Sequence, residues 1–359
     1  MAYSTIDKPS NNFRTKLYTG TGSATSITFD ESTNMQPDFI WVKSRNDTWN
    51  HNLVDSVRGA LKVLRTNTTE AEENRTNNIS SFNSNGFSIA GGDGLVNYST
   101  TTTTYVSWNW KANGTGVSNT AGTISSTVSA NTTSGFGIVS YTGNGSTSAT
   151  VGHGLGVTPA MIIIKNRSAV SQWMVKHKSL ATDYNLQLNV TDAQVYLPSG
   201  TGQGGVGNLS SSSTFGFTSG TTGVNNVNNS GSSFIAYCFA EVKGFSKFGS
   251  YTGNGSADGT FVYTGFKPAF LIVKESSASG NNWQIGDNKR NGYNVIAPRL
   301  EASTSSSEYT NLSWVDFVSN GFKIRSSDGA FNTSSNTYIY MAFADSPFCS
   351  SKGIPTTAR

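Results

Sequence analysis

Short apolar runs set between polar loops dominate the chain, and one run occurs three times. It reads Pro37-Asp-Phe-Ile-Trp-Val-Lys43, then Pro159-Ala-Met-Ile-Ile-Ile-Lys165, then Pro268-Ala-Phe-Leu-Ile-Val-Lys274. Each copy is too short for a globular helix and has no N-cap before it, so it predicts a strand. Proline suits the strand start, where a missing N–H costs least. The near-continuous apolar run predicts a central strand covered on both faces. A second run alternates instead: Tyr105, Ser107 and Asn109 against Val106, Trp108 and Trp110. Phe234–Phe239 and Tyr338–Phe343 take the same place in the other two copies. In the first copy the pattern predicts eight strands, at 13–18, 24–30, 38–43, 49–54, 60–66, 78–83, 86–90 and 103–110. Residues 68–75 are acidic near their start but lack an apolar stripe, so they predict at most one exposed helical turn.

Further landmarks keep the same order around each run. Upstream lie Tyr18-Thr-Gly-Thr-Gly22, Tyr141-Thr-Gly-Asn-Gly145 and Tyr251-Thr-Gly-Asn-Gly255, with the Tyr 19, 18 and 17 residues before the proline. Downstream come Trp49, Trp173 and Trp283, which follow the lysine by 6, 8 and 9 residues. Gly86-Phe87, Gly216-Phe217 and Gly321-Phe322 come next. The first and third copies continue as Gly-Phe-x-Ile-x-x-x-Asp-Gly-x-x-Asn, and Asp93-Gly94 and Asp328-Gly329 predict hairpin turns. So many ordered landmarks indicate an internal repeat. A unit of about 100 residues holding many short strands predicts an all-β chain of three tandem β-sandwich (jelly-roll-like) domains.

The expected divisions are an N-terminal arm at 1–12, repeats at 13–112, 136–242 and 243–345, and a C-terminal tail at 346–359. Between the first two repeats, the Gly/Ser/Thr-rich stretch 113–135 is either a flexible linker or a pair of edge strands. The second and third repeats are joined almost directly and are expected to pack rigidly, leaving the first free to sit apart. The terminal arms are expected to lie on neighbouring subunits.

Composition changes this picture little. Charged residues are only 13%, which suits a surface that packs in an assembly, and 11% aromatics are enough for cores. The net charge of +4 is not gathered into a basic patch, so no nucleic-acid partner is expected. Cys238 and Cys349 form no framework and are expected to be structural and reduced. The N-terminus lacks the features of a secretory signal, and no apolar run approaches ~18 residues. The expectation is therefore synthesis in a cytoplasm without membrane insertion.

No catalytic, cofactor-binding or metal constellation stands out, and the expectation is a non-enzyme without cofactors. His51, His153 and His177 share no common place in the three copies and are expected in loops or on the surface. Asp55 and Asp287 have no consistent partner that would make a glycosidase pair. The Tyr-Thr-Gly-x-Gly elements lack the Lys-Ser/Thr and helix of a phosphate loop and predict tight turns. Trp49, Trp173 and Trp283 are the candidate glycan- or receptor-binding residues, because aromatic rings stack on sugar faces. A tryptophan at one landmark in every copy is also what a common core requires, and core is the favoured reading.

Four segments of the first copy carry a resemblance: Phe39–Arg45, Trp49–Gly59, Thr66–Thr69 and Phe82–Phe87. They resemble a tandem-repeat β-domain of virion structural proteins of tailed bacteriophages, especially marine and cyanobacterial phages. Copies two and three share the other landmarks but read as lacking the Asp-Ser-x-Arg-Gly segment that starts at Asp55. The resemblance implies a bacteriophage structural protein of the virion, made in the host bacterial cytoplasm. It would be tail- or fibre-associated, a homo-oligomer on the particle exterior, with other virion proteins and a host surface glycan as partners. The alternatives are a capsid decoration (cement) protein and, less favoured, a tail polysaccharide depolymerase.

Overall fold

The computed structural model describes residues 3–98, 102–197, 204–220 and 224–356, so the outer ends of both arms, 1–2 and 357–359, lie outside the described residues. The chain is almost all β. All eight strands expected in the first copy are present, although the fourth starts only at Asn52 because Trp49 and Asn50 belong to a loop. Residues 68–75 form no helix. They hold a bend at Thr68 and the two-residue strand Glu73–Asn74.

Each copy builds one large antiparallel sheet. In the first, the order is Phe13–Thr19, Thr104–Trp110, Phe39–Ser44, Asn52–Asp55, Gly59–Leu64, Glu73–Asn74. The second repeats this order with Phe136–Thr142, Ser233–Phe239, Met161–Asn166, Met174–His177 and Tyr184–Gln187. The third does so with Ser246–Thr252, Thr337–Pro347, Phe266–Glu275, Gln284–Asp287 and Leu300–Glu301. The Pro-to-Lys run is thus the central strand each time. Pro268 falls inside its strand, where the pairing register shifts on either side of it, a bulge that spares the missing N–H. Val117–Asn119 and Ser126–Asn131, from the stretch 113–135, add to the edge of the second sheet as edge strands. A three-stranded sheet backs each large one, such as Thr25–Thr28, Gly86–Ile89 and Ile79–Asn83 in the first copy.

The pleat explains why the central strand is apolar on both faces. Alternate side chains enter two different cores. Ile40 and Val42 pack within the first sandwich, while Phe39 and Trp41 enter a cluster shared by the whole chain. Met161, Ile163, Phe270 and Ile272 enter the same shared cluster from the other copies. The Trp110 ring lies 5.3 Å from Phe39, 6.3 Å from Phe239, 5.5 Å from Phe270 and 5.6 Å from Phe343 between centroids. The first repeat therefore does not sit apart: its inner face would be bare apolar surface without the other two. The described parts of both arms fold against their own chain. Ile6 joins the shared cluster, the Tyr3 hydroxyl donates to Gly265 O at 3.1 Å, and Asp7 accepts from Ser351.

Two of the three seams between repeats carry matching buried ion-pair networks. At the first, Arg58 Nε donates to Asp55 Oδ2 at 2.5 Å and Nη1 to Glu72 at 3.1 Å, while Arg167 of the second repeat grips Glu72 bidentately. The Tyr237 hydroxyl donates to the same Asp55 oxygen at 2.8 Å. At the second, Arg290 binds Asp287 at 2.7 Å and Glu308 at 3.1 Å, Arg45 grips Glu308, and Trp108 Nε1 donates to Asp287 at 3.0 Å. Copy three thus keeps the Asp-x-x-Arg pair that its altered intervening residues conceal. Burial opposes a charge on Arg58, yet Asp55, Tyr237 and Glu72 together hold its pKa above the ordinary value. The third seam places His177, Leu180 and Met341 at the corresponding positions and has no such pair.

The histidines are buried, contrary to the surface expectation, because backbone groups and, at His51, the Trp41 indole satisfy their rings. His51 Nδ1 accepts from Trp41 Nε1 at 2.8 Å, so its Nε2 carries the proton and donates to Glu301 O at 3.0 Å. His177 Nδ1 accepts from the Ser179 N–H at 3.1 Å and Nε2 donates to Tyr340 O at 3.1 Å. Burial drives their pKa values down to about 3 and about 4. The unfolded rings bind protons below about 6.5 while the folded ones do not, so this stability is present above 6.5 and is lost as pH falls towards 4. Each ring should cost on the order of 3 kcal/mol by pH 4. Thermal unfolding midpoints measured from pH 7 to 4 should fall steadily; a flat profile would contradict the assignment.

The repeat landmarks are structural. Tyr18, Tyr141 and Tyr251 stack on Tyr105, Phe234 and Tyr338 at 5.1, 5.2 and 5.1 Å, and their hydroxyls donate to Val96, Val227 and Phe331 carbonyls. The next residues, Asn97, Asn228 and Asn332, are buried and clamp the Thr-Gly-x-Gly turns, as when Asn97 Oδ1 accepts from Thr21 N at 2.6 Å. Asp93 and Asp328 do not make hairpins. Asp328 caps the helical turn Gly329–Asn332 through Ala330 N at 2.8 Å, and Asp93 binds Leu95 N at 3.0 Å in the same manner. Gly86 has φ +120°, and a Cβ there would meet Ile27 O at 1.9 Å; a Cβ at Gly321 would meet Val262 O at 2.1 Å, so the glycine of the Gly-Phe pair is required in the first and third copies, while Gly216 has room for a side chain.

Candidate functional site: a groove beside Trp49

The three candidate tryptophans part company. Trp173 and Trp283 are 0% and 1% exposed in the shared core, while Trp49 is 37% exposed. Strand pairing shows why. Val42 pairs with Asn52, Ile164 with Met174 and Val273 with Gln284, so the residue before each partner is His51, Trp173 or Trp283. His51, not Trp49, is the counterpart of the other two tryptophans. The three rings make a cyclic set of hydrogen bonds around the body. His51 donates to Glu301 O, Trp173 to Arg65 O at 2.9 Å, and Trp283 to Gln187 O at 2.9 Å. Each reaches the end of the fifth strand of another repeat. A role of Trp173 and Trp283 in surface binding is therefore ruled out by burial.

The lysines that close the central strands are buried, and two of them, Lys165 and Lys274, reach backbone carbonyls of another repeat. Lys43 Nζ donates to Ser44 O and Asp47 O, Lys165 to Thr69 O and Ser171 O, and Lys274 to Thr191 O, all within 2.8–3.1 Å. Burial lowers their pKa values to about 8, 7 and 8. Lys43 and Lys165 pin the loop that follows, through Asp47 O and Ser171 O, and in the first repeat that loop presents Trp49.

Trp49 borders a groove of about 780 Å³. The indole lies flat on the backbone of Gly94, where a Cβ would come within 2.5 Å of the ring. Tyr98, 38% exposed, packs beside it at 5.4 Å. Arg75 anchors the groove floor, with Nε to Asp93 Oδ2 at 2.8 Å and Nη1 to Glu73 Oε2 at 2.9 Å, and Arg65 Nη2 reaches Glu73 at 2.7 Å. Burial alone would raise the Asp93 carboxyl, but Arg75, Asn78 and the Leu95 N–H hold it below its ordinary value. Asn74, Thr76 and Asn77 line the groove with exposed side chains that have no hydrogen-bond partner among the described residues. A part-exposed aromatic ring shares the groove with uncommitted amides, a hydroxyl and internally paired charges. That is a surface for stacking and hydrogen bonding.

A family described as a domain of unknown function (DUF7483) has a sequence model that matches residues 8–347. The chain belongs to that family. No curated protein and no solved structure matches it. The family match spans all three copies as one unit, as the shared core does.

Asp55 and Asp287, weighed above as glycosidase carboxylates, are closed off in the seams by Arg58 and Arg290 and are 0% exposed. Among the described residues no group of three or more His, Cys, Asp or Glu is placed to hold a metal ion, and no helix is long and apolar enough to cross a membrane. The Trp49 groove was half visible in the sequence: the lysine-to-tryptophan spacing of 6 was the outlier, and His51 at 8 restores the series 8, 8 and 9.

Proposed function

We propose that the chain is a non-enzymatic structural protein of a bacteriophage particle, placed on the virion exterior with the tail or its fibres. Its task is to hold surface loops against a host cell. The observation that carries this reading is the shared core, which joins three sandwiches into one body and leaves loops, above all that of Trp49, as the outward variable parts. The resemblance of the Phe39–Arg45 and Trp49–Gly59 segments to phage virion repeats supports the same assignment. Assembly as a homo-oligomer with other virion proteins lets weak sites act together. A depolymerase is less supported, because Asp55 and Asp287 are held by arginines and cannot flank a sugar bond.

A second reading, decoration of the capsid, draws on the cyclic hydrogen bonds of His51, Trp173 and Trp283. A body with three near-equivalent sides suits a lattice position of threefold symmetry. Mass spectrometry of purified particles and their reconstruction by electron microscopy test both. Density for the chain on the tail is the expected result, density on the capsid lattice favours the second reading, and particles lacking the chain would contradict both.

A further inference from the structure

We infer that the groove beside Trp49 is a saccharide site selective for neutral sugars. This deepens the surface-binding reading above and rests on it. The aromatic member of the lining is Trp49, which is packed on Gly94 and 37% exposed, and Tyr98 packs against it from outside the groove. A pyranose ring presents an apolar C–H face that fits such an indole and equatorial hydroxyls that need planar partners. Such partners line the same groove, as the exposed side chains of Asn74, Thr76 and Asn77.

Charge decides which sugars. The groove is lined by two arginines, Arg65 and Arg75, and by two carboxylates, Glu73 and Asp93, which pair with them. No cation is left over to neutralise a carboxylate, sulfate or phosphate on a ligand, and displacing Asp93 from Arg75 would strand a mostly buried acid. An acidic sugar therefore gains nothing here and loses solvation, whereas a neutral one keeps the existing pairs intact. The site belongs to the first repeat alone. The positions matching Trp49, two before Trp173 and Trp283, are Ser171 and Asn281. Ser171 is buried, bonded to Asn226, and Asn281 is bonded to Glu275 and Gly329.

The test uses an internal probe. Six of the seven tryptophans are buried, so Trp49 is the indole that acrylamide quenches. The full chain is titrated with neutral oligosaccharides (malto-, cello-, manno- and galacto-oligomers) and with acidic ones (oligogalacturonate, sialyllactose), following quenching and heat of binding. Protection of Trp49 by at least one neutral series and by neither acidic one is the expected result. Trp49→Ala should weaken that binding by roughly tenfold or more, as loss of a stacking anchor does, and Asn77→Ala less. Asn77→Ala should leave the unfolding midpoint unchanged, and Trp49→Ala should lower it by only a few degrees, so that both stay folded in the titration. Binding of an acidic series with the neutral ones silent would overturn the selectivity. Neutral binding insensitive to Trp49→Ala would overturn the site. Adhesion of the chain to host cells with no saccharide protecting Trp49 would overturn the inference while leaving the surface-binding reading standing; absence of adhesion would overturn that reading itself.

Discussion

Trp110→Ala should destabilise all three repeats together, by about 3–5 kcal/mol. The residue lies in the terminal strand of the first repeat, but its ring meets Phe239 of the second and both Phe270 and Phe343 of the third. It is 1% exposed. Truncation removes a large apolar area and leaves a cavity that three sheets would have to collapse into from different directions, so relaxation is poor. Hydrogen exchange followed by mass spectrometry separates this from a local effect. Protection should fall in Phe39–Ser44, Met161–Asn166 and Phe266–Glu275 by similar amounts. Loss confined to residues 13–112 would show that the repeats are stable separately.

Asp55→Ala should cost nearly as much, about 3–5 kcal/mol, for a different reason. Asp55 and Arg58 are both fully buried, and Asp55 also accepts from Tyr237 across the seam. Removing the carboxylate strands the guanidinium in a dry interface with Glu72 as its remaining charged partner. The third seam supplies the comparison. There His177 and Leu180 occupy the same places without an ion pair, so an uncharged arrangement of this seam is sterically available. Asp55→Ala combined with Arg58→Leu should therefore cost less than the two single changes summed, as a double-mutant cycle in urea would report. Additive losses would mean that the pair does not act as a unit. Two seams with a buried Asp–Arg pair and one with a neutral histidine in its place also give each repeat a distinct neighbour, which favours one order of the three sheets around the core.

Features carried by neighbouring residues were legible in the sequence. Period-two patterning and the Pro, Gly and Tyr landmarks placed every large-sheet strand of the first repeat except the two-residue Glu73–Asn74, because pleat and turn chemistry act over a few residues. The central strand's double apolar face was also legible, but not what covers it: Phe39 and Ile40 look alike in sequence and enter different cores. Matching by residue type misled at Trp49, where the pleat puts His51 in register with Trp173 and Trp283. It misled again at Asp287, whose pairing with Arg290 survives although the residues between have changed. Asp-Gly at 93 and 328 suits a hairpin or a cap equally. The buried asparagine four residues on decides for the cap, and its burial depends on the distant Thr-Gly-x-Gly turn. Histidine burial was out of reach for the same reason, since the carbonyls that hold His51 and His177 come from Glu301 and Tyr340 in another repeat.

The Trp49 groove combines both kinds of feature. Trp49 is local, but Arg75 and Asp93 reach it only once the small outer sheet and the fifth and sixth strands of the large one have formed.

Differential scanning calorimetry of the full chain tests the central claim, that three repeats share one core and fold as one body. One transition, with the calorimetric enthalpy equal to the van't Hoff enthalpy, is the predicted result. Two or three resolved transitions, or a calorimetric enthalpy two to three times the van't Hoff value, would contradict it.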